Sequence, residues 1–157
     1  MLMIPLSQDN LLEIRKHALG EYPYECCGVV IGFPESKDGD ILFRCTNIQS
    51  KLHKMDPRTY PRDAKTAYNI EPRELVEIFN QVQSKGMMLK TFYHSHPDHD
   101  AYFSDEDKRM ALFDGEPTYP NANYLVVSVY NKLIRDEAWF EWDSKTGSFE
   151  KKNISHR

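Results

Sequence analysis

A chain of 157 residues with a net charge of −4 is long enough for one hydrophobic core and too short for two, so a single domain over residues 1–157 is expected. The acidic balance, with Lys and Arg scattered rather than clustered, argues against a nucleic-acid surface and favours a protein or small-molecule partner. Three cysteines, two of them adjacent at Cys26 and Cys27, build no disulfide framework; the start lacks a signal-peptide pattern, and no apolar run approaches the roughly 20 residues of a bilayer span, which makes a cytoplasmic setting away from membranes the expectation.

Ser7 is a good N-cap for a helix over Gln8–Leu19, with Leu11, Ile14 and Ala18, joined by Leu12 and Leu19, as its apolar face and Gly20 as its stop. An apolar strand over Glu25–Gly32, a turn at Asp38-Gly39 and a second strand over Ile41–Ile48 read as a hairpin. The stretch Gln49–Ala67 has no clear period, holds Pro57 and Pro61 and many charges, and reads as a long loop of the kind that carries function. Pro72 opens a helix whose Leu75, Ile78, Phe79 and Val82 recur at helical spacing as core packing, and Gly86 closes it.

A strand over Met88–Ser95 follows, then a polar loop to Phe103 and a helix capped by Ser104 that runs to about Phe113 with Asp107 in its first turn. Strands over Tyr124–Tyr130 and Ile134–Trp142 flank Asn131-Lys132, the second placing Ala138, Phe140 and Trp142 on one side. An edge strand at Ser148–Lys151 precedes a frayed tail containing His156.

The chemistry concentrates where Thr91-Phe92-Tyr93-His94-Ser95-His96-Pro97 ends. Residues two apart on a strand share a face, so His94 and His96 can put two imidazoles on one ion, and Asp107 from the next helix can complete a three-ligand cup. Three protein ligands leave a position open for water, the arrangement of a catalytic rather than a structural zinc. Glu25, at the head of an apolar strand, is an odd place for a carboxylate without a partner; if that strand lies beside the histidine strand, Glu25 can serve as the base.

Glu25, then His94-Ser95-His96-Pro97, then Ser104-x-x-Asp107, in that order and with Tyr22-Pro23-Tyr24 before the glutamate, resembles the JAMM (MPN+) metalloprotease family in its small free-standing prokaryotic form. The resemblance implies an α/β fold, a three-layer α/β/α sandwich around a mixed, largely antiparallel sheet. It implies one zinc per chain on His94, His96 and Asp107, Glu25 as general acid/base, and Ser104 helping to hold the oxyanion. It further implies cleavage after the Gly-Gly tail of a ubiquitin-like or sulfur-carrier protein. The Gln49–Ala67 loop falls outside the match and is where substrate choice is expected to be set, and a monomer or homodimer is expected.

Each residue also has a plain structural reading. Ser104 and Asp107 are what an ordinary helix start looks like, and His53, His99, Asp98 and Asp100 read as solvated loop residues. Cys26 and Cys27 alternate across a strand, one in the core and one facing the site, with no separate base to make either a nucleophile. Two rival functions are a metal-free MPN-type scaffold that binds partners, and a metallo-β-lactamase-like hydrolase using His94-x-His96-x-Asp98-His99; the latter fold needs more chain and further ligands downstream.

Overall fold

The computed structural model describes residues 2–3 and 5–155. In chain order its elements are β1 (Leu2–Met3), α1 (Gln8–Glu21), β2 (Cys27–Gly32), β3 (Ile41–Cys45), α2 (Gln49–Met55), α3 (Pro72–Lys85), β4 (Met88–Pro97), α4 (Asp105–Ala111), β5 (Leu112–Phe113), β6 (Glu116–Pro117), β7 (Asn123–Tyr130), β8 (Leu133–Asp143), β9 (Ser148–Lys152) and β10 (Ile154–Ser155).

Six strands form one sheet in the order β3-β2-β4-β7-β8-β9. Only β4 and β7 pair in parallel; the other neighbours are antiparallel, giving a mixed, largely antiparallel sheet. The central strands read as near-continuous apolar runs because both faces are covered. One face carries Cys27, Val29 and Ile31 of β2, Phe92 of β4, Tyr124 and Val126 of β7, and packs against Ile78 of α3 and Ala111 of α4. The other carries Val30, Tyr93, Leu125, Val127 and Trp139, and packs against Leu11, Ile14 and Ala18 of α1. This is the expected three-layer α/β/α sandwich. Gly28 is needed where β2 crosses β4, because a Cβ there would lie 2.3 Å from the Tyr93 ring.

Several boundaries differ from expectation. Helix α1 runs through Gly20 to Glu21, with Pro23 just beyond its cap, and leaves Leu12 and Leu19 exposed rather than in the core. Strand β3 stops at Cys45, after which Asn47 makes one isolated bridge to Ile70. The segment read as a long loop opens with α2, whose cap position Ile48 offers no side-chain hydrogen bond, the Gln49 N–H going instead to Asn47 Oδ1 at 3.0 Å. On α3 only Ile78 is fully buried, and Phe79 is exposed at the rim. Helix α4 ends at Ala111, and Leu112–Phe113 turns into a small hairpin through Asp114 and Gly115, both at positive φ (52° and 80°). The tail does not simply fray after β9: β10 pairs in parallel with β1. His156 lies outside the described residues.

Candidate active site and metal centre

The register of β2 on β4 pairs Cys27 with His94, which carries Glu25, just ahead of β2, toward His96. Alternation along β4 puts His94 and His96 on the face covered by α3 and α4, and sends Ser95 to the α1 side. Helix α4 begins with a reciprocal cap: Ser104 Oγ accepts the Asp107 N–H at 3.0 Å and the Ser104 N–H donates to Asp107 Oδ2 at 3.0 Å. That geometry turns Asp107 inward. Its Oδ2 lies 3.1 Å from His94 Nε2 and 3.1 Å from His96 Nε2, and the two Nε2 atoms lie 3.2 Å apart. Glu25 joins them, so that four buried donors, one from each residue, lie within 4.8 Å of one another.

Electrostatics prepares the group for a cation. His96 Nδ1 sits 2.8 Å from the Asp100 carbonyl, which can only accept; the proton is therefore on Nδ1 and the Nε2 lone pair faces the cluster. Burial lowers the His94 pKa and keeps the ring neutral, the form that ligates, while Tyr68 stacks on it with centroids 4.6 Å apart. Burial alone would raise Asp107, but the charge and hydrogen bonds of His94 and His96 hold its carboxyl well below the usual range. Burial first, then the Asp107 charge, push Glu25 well above it, with Arg62 opposing.

Glu25 Oε1 and His94 Nδ1 are buried without any hydrogen-bond partner. The Glu25 orphan, in a residue that joins the cluster, calls for an ion or a reacting group, whereas His94 Nδ1 lies on the opposite edge of the ring from the Nε2 that meets Asp107. The edges of 3.1, 3.1 and 3.2 Å are close to the separation of about 3.4 Å between ligands around a tetrahedral ion of zinc's size, and imidazole with carboxylate suits that metal. The residues present can hold a metal ion.

Of the residues singled out in the sequence, Glu25, His94, His96 and Asp107 come together. Ser104 stands at the rim, lining with Glu25, His96, Arg62 and Thr66 a recess of about 50 Å³. Asp98 and His99 do not enter the cluster. Asp98 accepts the Tyr22 hydroxyl at 2.7 Å and the Asn131 N–H at 3.2 Å, and His99 Nδ1 is 2.6 Å from the Pro97 carbonyl, so the His-x-His-x-Asp-His reading has no site here. Asp100 is likewise engaged, accepting from the Tyr130 hydroxyl at 2.9 Å. Both Cys26 and Cys27 are core residues: burial pushes the Cys26 thiol up to about 12 and Cys27 well above its usual value, and Cys27 Sγ turns to the Cys45 carbonyl rather than to the cluster.

Sequence reasoning missed the groups that hold Glu25. Its N–H donates to the Ala64 carbonyl at 2.7 Å, and its carbonyl accepts Asn47 Nδ2 at 2.9 Å. Gln49 Nε2 donates to the Arg62 carbonyl at 2.9 Å and Ser50 Oγ accepts the Ala64 N–H at 3.0 Å, tying the 62–64 strip to α2. Asn47, an amide just after a strand, was the available signal, whereas the burial of Gln49 shows only in the fold. His53 is not a free loop residue; on α2, its Nδ1 lies 2.7 Å from the Tyr60 carbonyl, and its side chain borders a hollow of about 550 Å³ that runs from Glu25 past Thr46 and Asn47.

A mixed sheet between helical layers, with a carboxylate, two imidazoles and a second carboxylate gathered at one end of its central strands, defines a peptidase of the JAMM type. The chain belongs to the family described as prokaryotic homologs of the JAB domain, whose profile matches residues 7–143. It is 28% identical over 132 residues to the desampylase of Haloferax volcanii, spanning 83% of this chain and 82% of that protein. It is 28% identical over 112 residues to the CysO-cysteine peptidase of Mycobacterium bovis, spanning 71% of this chain and 64% of that protein, just under two thirds of its length. Among solved structures, a protein of Desulfitobacterium hafniense superposes with a TM-score of 0.67 at 22% identity, over 99% of this chain and 92% of that one. A protein of Salinibacter ruber superposes at 0.60 and 24% identity, over 98% and 92%. These two show the fold alone. Among the described residues no helix is long and apolar enough to cross a membrane.

Proposed function

We propose that the protein is a one-domain zinc peptidase that hydrolyses the bond after the C-terminal Gly-Gly of a ubiquitin-like or sulfur-carrier protein. The observation that carries this reading is the buried quartet of Glu25, His94, His96 and Asp107, in which Glu25 Oε1 has no other partner. The activities for which the desampylase and the CysO-cysteine peptidase are named support the substrate class. A metal-free scaffold has no use for such a set, whose burial without an ion costs stability.

His94, His96 and Asp107 would hold the zinc. When bound, the ion supplies Lewis acidity, the chemistry that lets water attack an amide near neutral pH. Glu25 accepts the proton of the attacking water at its free Oε1 and delivers it to the leaving nitrogen as the C–N bond breaks, a role suited to a carboxyl with raised proton affinity. Because Ser104 Oγ already accepts from Asp107, its own hydrogen is left to donate to the carbonyl oxygen as charge develops there. A Gly-Gly tail offers no side chains, so affinity must come from its backbone. Strand β3 lies at the sheet edge and leads through Thr46 and Asn47 into the hollow that reaches Glu25, which suits a tail added as a further strand.

Incubation with a ubiquitin-like carrier ending in Gly-Gly plus one residue, followed by intact-mass analysis, tests this. Loss of that residue is expected, abolished by a chelator and restored by zinc. Replacing the penultimate Gly with Val should stop cleavage through lost clearance; a Val carrier cut as fast as its parent would replace this reading with a broader peptidase.

A further inference from the structure

Arg62, like Arg58 beside it, carries no ion pair among the described residues, and of the two it alone reaches the recess at Glu25. It borders both the recess of about 50 Å³ that holds Glu25, His96 and Ser104 and an adjoining hollow of about 210 Å³ that also presents Arg58 and Arg109. Arg15, Arg44 and Arg109 are paired with Glu137, Glu13 and Glu106. Arg62, among the described residues, has no ion-pair partner, and its Nη1 makes only a 3.5 Å hydrogen bond to the Thr66 carbonyl. Its backbone is nonetheless fixed: the carbonyl accepts Gln49 Nε2 at 2.9 Å, and two residues on, the Ala64 carbonyl accepts the Glu25 N–H at 2.7 Å. The hollow thus sets three guanidinium groups against one carboxylate, Glu106, already held by Arg109.

The departing group decides what such a fork can meet. In a carrier extended by one amino acid, the α-carboxylate carbon lies two bonds, about 2.5 Å, from the scissile nitrogen. That carboxylate must then occupy the same recess as the group that protonates the nitrogen. In a bond to a lysine side chain, the nitrogen is followed by four methylenes, and no charge stands near it. A planar guanidinium matches a carboxylate with two parallel hydrogen bonds, so the two leaving groups differ sharply at this position. We infer that Arg62 binds the free α-carboxylate of the departing residue, making a carrier extended by a C-terminal amino acid the preferred substrate over one joined through a lysine side chain. This rests on the peptidase reading above.

The test uses the zinc-loaded full chain and fluorescein-labelled peptides ending in Gly-Gly-Ala, as free acid and as C-terminal amide, with a third peptide carrying Gly-Gly on a lysine Nε. The wild type should show kcat/KM about 10-fold or more higher for the acid than for the other two, the scale of a charge-assisted hydrogen bond. Arg62→Gln should collapse the acid-to-amide ratio toward one, mainly through KM, with zinc content and Tm at wild-type values; Arg62→Lys should keep part of it. Equal cleavage of acid and amide by the wild type, or an Arg62→Gln ratio as large as wild type, overturns the inference. If the wild type cuts none of the three, the peptidase reading fails for these substrates, and fluorescence polarisation then decides Arg62 separately. Tighter binding of the acid that Arg62→Gln abolishes upholds carboxylate recognition, and equal or absent binding overturns it.

Discussion

Ser95 Oγ accepts the Cys26 N–H at 2.7 Å, and the Cys26 carbonyl takes the Ser95 N–H in return at 3.2 Å. Ser95 stands between the two clustered histidines yet faces the other side of the sheet, so it touches none of the four donors. Its hydroxyl replaces a main-chain partner just where β2 begins and thereby holds the residue next to Glu25 against β4. The position of the carboxylate relative to His96 depends on that clasp.

Ser95→Ala should therefore orphan a buried N–H, at a cost of about 1–3 kcal/mol. Because the hydroxyl holds Glu25 and no ligand, zinc content should stay near wild type while kcat falls more than KM changes. Chemical denaturation, metal analysis and steady-state kinetics on one preparation separate these effects. An unchanged kcat would show that Glu25 is positioned by Ala64 and Asn47 alone.

Glu25→Gln is nearly isosteric and removes a carboxyl that burial makes expensive to ionise, so the fold should persist and the apo chain should not lose stability. Turnover should drop about 10²-fold to 10⁴-fold, the usual contribution of a positioned acid/base. Zinc content measured alongside is the control. Equal loss of zinc would make Glu25 a ligand instead of the proton carrier.

Asp107 has two duties, and its variants should separate them. Its Oδ2 closes the cap on Ser104 as well as facing both histidines. Asp107→Ala should thus cost about 0.5–2 kcal/mol through the lost cap even in chelator, and in addition abolish the rise in Tm that zinc produces in the wild type. Asp107→Asn keeps an acceptor for the Ser104 N–H, so it should retain more of the apo stability while still weakening zinc binding. Thermal melts with and without zinc give both readouts.

The gathering of the site's side chains was legible because its spacings are local. Two residues apart on a strand puts His94 with His96, and three residues into a helix puts Asp107 back on Ser104; both rules hold before any tertiary contact forms. What escaped was set by partners distant in sequence or by main-chain groups. Helix α2 has no capping side chain at Ile48; Asn47 Oδ1 accepts the Gln49 N–H at 3.0 Å, and Asn47 and Gln49 are in turn tied to Asn69 by hydrogen bonds that cross 20 or more positions. The Asp100 carbonyl that sets the His96 tautomer has no side-chain signature, and the ring of Tyr68 reaches His94 from 26 positions away. Leu12 and Leu19 fit an apolar pattern yet face solvent, since the stripe that packs on the sheet is narrower than the pattern.

His17 gives the fold an acid sensitivity independent of the metal cluster. It lies on α1 in the opposite layer, buried, with Nδ1 2.7 Å from the Tyr93 hydroxyl. Burial, with the Arg44 charge adding, lowers its pKa from 6.5 to about 4. The native state therefore holds a neutral ring, while the unfolded chain takes up a proton near pH 6.5. Stability is complete above that pH and is lost as pH falls toward about 4, with a slope of at most about 1.4 kcal/mol per pH unit. His17→Gln can still hydrogen-bond the Tyr93 hydroxyl but cannot titrate. Between about pH 7 and pH 4.5 its urea midpoint should fall less steeply than that of the wild type, both chains being kept in chelator so that metal release does not contribute. Parallel slopes would mean that the folded ring takes up its proton at the same pH as the unfolded chain, the Glu21 carboxylate, whose Oε1 lies 4.0 Å from its Nε2, offsetting burial.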